Sequence, residues 1–241
     1  MSDISHEVGQ MFEVYLKAEI QQRTGLQVLS NVYFFNSEIN KIHEVDLMVF
    51  AQGTIYVLEC KNYSGTIYGT VASKYWSVVY PNGSTYKLYN PILQNNKHIE
   101  LISKVIESKE YDSSKVMDFL YPVSCTGQRK IAREFNSLVD RVNFFNKVLS
   151  TVNVVNMVVF PDETVVDVVG SEFYSYNASE LVDVLSNLKS SDDTRIFNFF
   201  SSYQQKSNWL KDLQKRCIGG YRLSDKDLQV LGGLYENCSY C

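Results

Sequence analysis

Residues 44–61 constrain this chain more than any other stretch, because two arms rich in Val, Ile, Leu, Phe and Tyr are separated only by Gln52-Gly53. Such spacing reads as a β-hairpin. A two-residue loop sets Ala51 opposite Thr54, and the register then runs on to place Asp46 opposite Glu59 and Glu44 opposite Lys61. Period-2 alternation gives Glu44, Asp46, Val57, Glu59 and Lys61 one face, and Val45, Leu47, Val49, Tyr56, Leu58 and Cys60 the other. The second face predicts a core. The first predicts a cluster of three acids and one lysine.

Opposite charges paired across strands are ordinary sheet surface, contributing roughly 0.2–1 kcal/mol. Glu44 beside Lys61 would fit that description, or Glu44 would support a neighbour. Asp46 against Glu59 is different, since facing carboxylates repel and stay ionised only when something neutralises them. Two readings stand side by side, a solvated sheet face and a divalent-cation site. Two carboxylates with an open coordination sphere suit magnesium or manganese, which keep waters and can present one to a phosphate. Lys61, on the same face as Glu59, could then hold that water or offset charge on the phosphate.

A chain of 241 residues can bury one large α/β or α+β domain, alone or with an appendage. The net charge of −4 argues against a wholesale basic nucleic-acid binder, although a local basic groove would not appear in the sum. No apolar run reaches membrane-spanning length and the first residues are polar, so the expectation is a cytoplasmic protein without membrane attachment. Cys60 and Cys125 sit in apolar, strand-like surroundings and read as small buried hydrophobes. Cys238-Ser239-Tyr240-Cys241 is a Cys-x-x-Cys, which is either half of a zinc-ribbon ligand set or a pair of free thiols beside Cys217.

Along the chain, Val8, Met11, Phe12, Tyr15, Leu16 and Ile20 predict a helix over about 5–24 that Gly25 ends, with Glu13 at the border of its apolar stripe. A strand over 28–35 precedes the hairpin, and short strands over 62–69 and 75–80 extend a meander past it. Asn90-Pro91 opens a second helix, on which Gln94 and His98 share a face. A strand over 119–125 and a helix over 131–149 follow. Segments 152–160 and 164–169, joined by Pro161-Asp162-Glu163, read as a second hairpin. A helix from Ser179 and a further one over 195–216 complete the chain, separated by the polar link 190–194.

These residues together resemble the NERD family, the nuclease-related domain, itself similar to the PD-(D/E)xK phosphodiesterase fold. The resemblance rests on Gly9-Gln10-Met11-Phe12-Glu13, His43-Glu44-Val45-Asp46, Glu59-Cys60-Lys61-Asn62 with Gly65, Trp76, and Asn90-Pro91-Ile92-Leu93-Gln94 with His98. The 154–160 strand is similar to the family's closing strand. The likeness covers about residues 5–190 and is densest from 9 to 98. Phe12 stands where the family has a second glycine, which predicts a helix set farther from the sheet and a displaced Glu13. The stretch 109–150 reads as an insertion.

The resemblance implies an α/β (α+β) fold with a restriction-endonuclease-like core, a central mixed β-sheet flanked by helices. It implies a nuclease domain over 1–190, followed by a helical extension over 191–241 that ends in the Cys-x-x-Cys. Asp46 and Glu59 become metal ligands, Lys61 the catalytic lysine, and Glu13 and Gln94 auxiliary groups. The implied activity is magnesium- or manganese-dependent hydrolysis of DNA, in DNA processing or defence against foreign DNA, with a nucleic-acid-binding adaptor as the alternative. Zinc would belong only to Cys238 and Cys241. His98 reads as a hydrogen-bonding residue of a helix face and Trp76 as core.

Overall fold

The structure, a computed structural model, describes residues 2–36, 38–107, 152–172, 174–188, 194–218 and 222–228. Its elements run α1 Ser2–Thr24, β1 Gln27–Asn36, β2 Lys41–Ala51, β3 Thr54–Cys60, β4 Gly65–Thr70, β5 Tyr75–Val79, β6 Thr85–Tyr89 and α2 Pro91–Glu107. They continue with β7 Asn153–Phe160, β8 Thr164–Val169, β9 Ser175–Asn177, α3 Ala178–Ser186, α4 Arg195–Ser207 and α5 Leu210–Ile218. The chain divides into two compact units, Met1–Leu101 with Asn153–Arg222, and Ile102–Val152 with Leu223–Cys241. Both sheets belong to the first unit. The expected strand over 119–125, the helix over 131–149, and Cys125, Cys238 and Cys241 lie outside the described residues.

Five strands form a mixed sheet in the order β1-β2-β3-β7-β9, antiparallel through β3 and parallel beyond it. Helices flank it on both faces, as an α+β core with a central mixed sheet requires. On one face Phe12, Leu16 and Ile20 of α1 and Leu181, Val182 and Leu185 of α3 close over Leu47, Val49, Leu58 and Val159. On the other, Phe197 and Phe200 of α4 meet Phe50 at ring-centroid distances of 5.5 and 6.1 Å. Met48, Ile55 and Val57 are also fully buried. The hairpin therefore has no solvated face along most of its length, and the charged cluster occupies only one end of it.

A second sheet, β6-β5-β4-β8, packs Ile67, Trp76, Val78 and Leu88 with Ile92, Val158, Phe160 and Val168. Trp76 is core, with its indole N–H donated to the Thr70 carbonyl at 2.8 Å. The expected hairpin over 152–169 is corrected. β7 pairs with β3 in one sheet and β8 with β4 in the other, both in parallel. Between the sheets the Lys61 N–H donates to the Val159 carbonyl at 2.9 Å and the Thr164 hydroxyl to the Tyr63 carbonyl, so the parallel pair bends as a unit. Asn177 fixes the bend by donating to the carbonyls of Pro161 and Thr164.

The apolar stripe of α1 is narrower than its sequence suggests, since Val8, Met11 and Tyr15 are exposed while Phe12, Leu16 and Ile20 are buried. The helix expected over 195–216 is two helices, interrupted at Asn208-Trp209. Strands β6 and β9 are additions to the elements read from sequence. Among the described residues no helix is long and apolar enough to cross a membrane.

Candidate functional site

The Gln52-Gly53 loop has φ of 49° and 73°, the two positive values that a type I′ turn demands. Pairing runs from Ala51↔Thr54 to Leu47↔Leu58, the register expected from a two-residue loop. In such a ladder alternate pairs exchange both hydrogen bonds, which would next place the Cys60 N–H on the Val45 carbonyl. Instead that N–H donates to Asp46 Oδ2 at 2.7 Å. A carboxylate has taken over a ladder position, and β2 and β3 part beyond it.

The same point is marked on β1. Asn31 has a φ of 55°, in the left-handed region that Asn tolerates better than most residues, and the pair Asn31/Asp46 is missing between Ser30↔Leu47 and Val32↔Val45. The alternation of faces changes phase there. Val28 packs with α1, whereas Phe34, of the same parity, stacks on Tyr203 of α4 at 5.0 Å. His43 meets His98 of α2, edge to face at 5.8 Å. Glu44 is consequently turned away from Lys61, and accepts hydrogen bonds from Asn31 Nδ2 at 2.9 Å and the Tyr33 hydroxyl at 2.8 Å. Asn31 Nδ2 also reaches Glu13 Oε2 at 3.4 Å. Phe12 is buried and Glu13 borders the cavity.

Helix α2 supplies the opposite wall. Asn90 accepts from the Ile92 N–H at 2.9 Å as its cap, while Nδ2 donates to the carbonyls of Val71 and Ser73 at 2.9 and 2.7 Å. One turn on, Asn95 Nδ2 reaches the Val57 carbonyl at 2.7 Å and Asn156 Oδ1 at 2.9 Å, and Asn156 Nδ2 returns to the Ile92 carbonyl at 3.0 Å. With that turn fixed on β3 and β7, the i, i+4 pair Gln94 and His98 faces the end of the hairpin.

The resulting cavity, about 470 Å³, is lined by Glu13, Asp46, Glu59, Lys61 and Gln94, the five positions singled out in the sequence, and by His98. Glu59 is 1% exposed; Asp46 keeps partial access from the cavity. Lys61 Nζ donates to Glu59 Oε1 at 2.5 Å and to Gln94 Oε1 at 3.3 Å. Burial, then the charges of Glu59 and Glu13, push the Asp46 carboxyl well above the usual range, against the pull of Lys61 and the Cys60 N–H. Burial also raises Glu59, with Lys61 opposing. Burial works to lower the Lys61 ammonium, but the Glu59 carboxylate outweighs it and the group stands above its ordinary value. His98 is pushed down to about 3, by burial first and then by His43 and Lys61, and is neutral. Its Nδ1 lies 3.4 Å from Glu59 Oε2, and neither atom has a hydrogen-bond partner.

Among the described residues no group of three or more His, Cys, Asp or Glu side chains is arranged as a metal cage. Magnesium-type ions do not require one, since one or two carboxylates plus water and substrate oxygens suffice. The donor set fits such an ion on two observations. Glu59 Oε2 is buried without a hydrogen-bond partner, and the Glu59 charge lies close enough to raise the proton affinity of Asp46. Cys60 and Cys217 are free thiols.

Asn31, Tyr33 and His43 were not expected at the site. Asn31 had a sequence signal, a turn-forming residue beside Ser30 inside an otherwise apolar strand. His43 opens the motif His43-Glu44-Val45-Asp46 but was given no role, and Tyr33 had no signal, because its orientation depends on the phase change at Asn31.

The model of the nuclease-related domain family matches residues 6–161. An uncharacterized protein of Bacillus anthracis is 35% identical over 83 residues, which are 34% of this chain and 38% of that protein. The chain thus spans well under half of that relative's length. No solved structure matches.

Proposed function

The chain belongs to the nuclease-related domain family, and on that premise we propose that it is a metal-dependent nuclease hydrolysing DNA phosphodiester bonds, in DNA processing or defence against foreign DNA. The observation that carries this reading is the pair Asp46 and Glu59, enclosed, mutually repelling and flanked by a lysine that one of them holds. A buried pair of like charges is unfavourable without a counter-ion. Asp46 and Glu59 would hold magnesium or manganese. Bound there, such an ion supplies Lewis-acid polarisation of a phosphoryl oxygen and a nucleophile at neutral pH.

The remaining work falls to the chain's own side chains. Lys61 keeps its proton and, aimed by Glu59 Oε1 and Gln94 Oε1, offsets charge growing on the phosphate in the transition state. Gln94 sets the lysine's direction without adding charge. Glu13 and the Asn31–Glu44 pair border the cavity on the side of α1 and hold the hairpin end in shape. The test is cleavage of plasmid and linear DNA with magnesium or manganese, using Asp46→Asn and Lys61→Ala as controls. Loss of cleavage in both supports the assignment, and undiminished cleavage in both removes it.

A further inference from the structure

Two residues at the mouth of the cavity, Tyr89 and Lys97, also begin a track across the second sheet. β5 and β6 pair Tyr75 with Tyr89 and Ser77 with Lys87, and β4 brings Tyr68 opposite Ser77. Strand alternation puts these residues on the outer face, while Trp76, Val78 and Leu88 fill the core behind them. Tyr75 and Tyr68 are 42% and 45% exposed. The Tyr75 ring meets Tyr89 edge to face at 5.9 Å, with Lys87 Nζ 4.1 Å and Lys74 Nζ 5.5 Å from its centroid. Lys97 Nζ stands 5.3 Å over Tyr89.

Among the described residues none of these three lysines is ion-paired with a carboxylate. Their charge is therefore available to an incoming anion, in a protein whose net charge is −4. Exposed rings flanked by amines match the two parts of a nucleotide, a base with a π-face and a phosphate. A duplex fits less well, since its bases are already stacked and would leave the rings without partners. The track ends beyond Tyr68, where Asp167 lies in register on β8 and repels phosphate.

We propose that this outer face binds a single-stranded segment of DNA and leads it to the cavity, with bases stacked on Tyr75 and Tyr68 and phosphates on Lys74, Lys87 and Lys97. The proposal rests on the nuclease reading for its direction, and it makes an open strand, not an intact helix, the favoured substrate.

The experiment is a fluorescence-anisotropy titration of a labelled oligo-dT and of a blunt hairpin duplex, in EDTA so that no cleavage occurs, over a series of salt concentrations. Tyr75→Ala is expected to weaken oligo-dT binding roughly tenfold with the salt slope unchanged, and Tyr75→Phe to restore it. Lys87→Ala is expected to lower the slope of log affinity against log salt by about 0.7, the value of one phosphate on a single strand. Melting curves exclude misfolding as the cause. Tighter binding of the duplex, or Tyr75→Ala binding like wild type, overturns the track and leaves the nuclease reading intact. Tyr75-dependent binding by a protein that never cleaves DNA leaves the track and removes the nuclease. Absence of binding to either DNA removes the track.

Discussion

Asn90 offers the sharpest test of how the site is held, because one side chain does two separable jobs. Its oxygen caps α2, a role whose removal costs about 1 kcal/mol. Its amide, on a residue with no solvent exposure, donates to the part-buried carbonyls of Val71 and Ser73. Leaving each of these carbonyls without its partner costs about 1–2 kcal/mol. Asn90→Ala should therefore destabilise by roughly 3–5 kcal/mol, which for a chain of this size lowers the melting temperature by roughly 6–20 °C. Asn90→Ser restores the cap without the two donors, and should recover only the first ~1 kcal/mol. Thermal and urea melts of both variants measure the split. Full recovery by serine would refute the reasoning, since it would leave the clasp on β4–β5 with no energetic content. Because Gln94 sits on the first turn of α2, both variants should also lose DNA cleavage well below their melting temperatures.

Further outcomes follow from other residues. In metal-free buffer Asp46→Asn should raise the melting temperature, since it removes a like charge beside Glu59 and Glu13 while an amide oxygen can still accept from the Cys60 N–H. It should also abolish the magnesium-dependent shift, about 2.7 kcal/mol for wild type at a hundredfold excess over Kd, and an equal shift in both proteins would contradict the site. Asn31→Gly should retain the left-handed backbone and lose only the bonds to Glu44 and Glu13, whereas Asn31→Ala should be roughly 1 kcal/mol worse because its φ of 55° disfavours a Cβ; identical melts for the two would remove the phase-change argument. Gly69→Ala would place a Cβ 2.4 Å from Trp76 Cδ1, and overpacking of that kind should destabilise by about 1–3 kcal/mol in a denaturant melt.

Where local chemistry decides a conformation, the sequence was sufficient. Gln52-Gly53 between two alternating arms gives the turn and the register from 51/54 to 47/58, and Asn90-Pro91 gives the start of α2, because each rests on backbone preferences within four residues. The family resemblance named the five site positions, and these two features together with α1 bring them to the lining of one cavity. Pattern failed where a single residue changes the phase of a strand. Carrying period 2 through Asn31/Asp46 paired Glu44 with Lys61, yet the left-handed residue turns Glu44 toward α1 and His43 toward α2. It failed again at Pro161-Asp162-Glu163, since a three-residue link reads the same whether the strands fold back or pass on into another sheet. What separates those outcomes is long-range pairing with β3 and β4 and the grip of Asn177, neither of which is visible locally.

These departures from regularity coincide with the proposed chemistry for a physical reason. A fully paired strand has no free peptide N–H to offer a carboxylate, and a strictly alternating one keeps residues two apart, such as Glu44 and Asp46, on the same face. Breaking the ladder at Asp46 lifts the first restriction, and the left-handed Asn31 lifts the second. A strained residue persists only when its surroundings over-determine it. Here the surroundings are identifiable: Asn31 is tied to Glu44, Asp46 to the Cys60 N–H, and α2 to β3 through Asn95. The cavity is thus bounded by three elements anchored through hydrogen bonds independent of Lys61, and the lysine itself is held between Glu59 and Gln94.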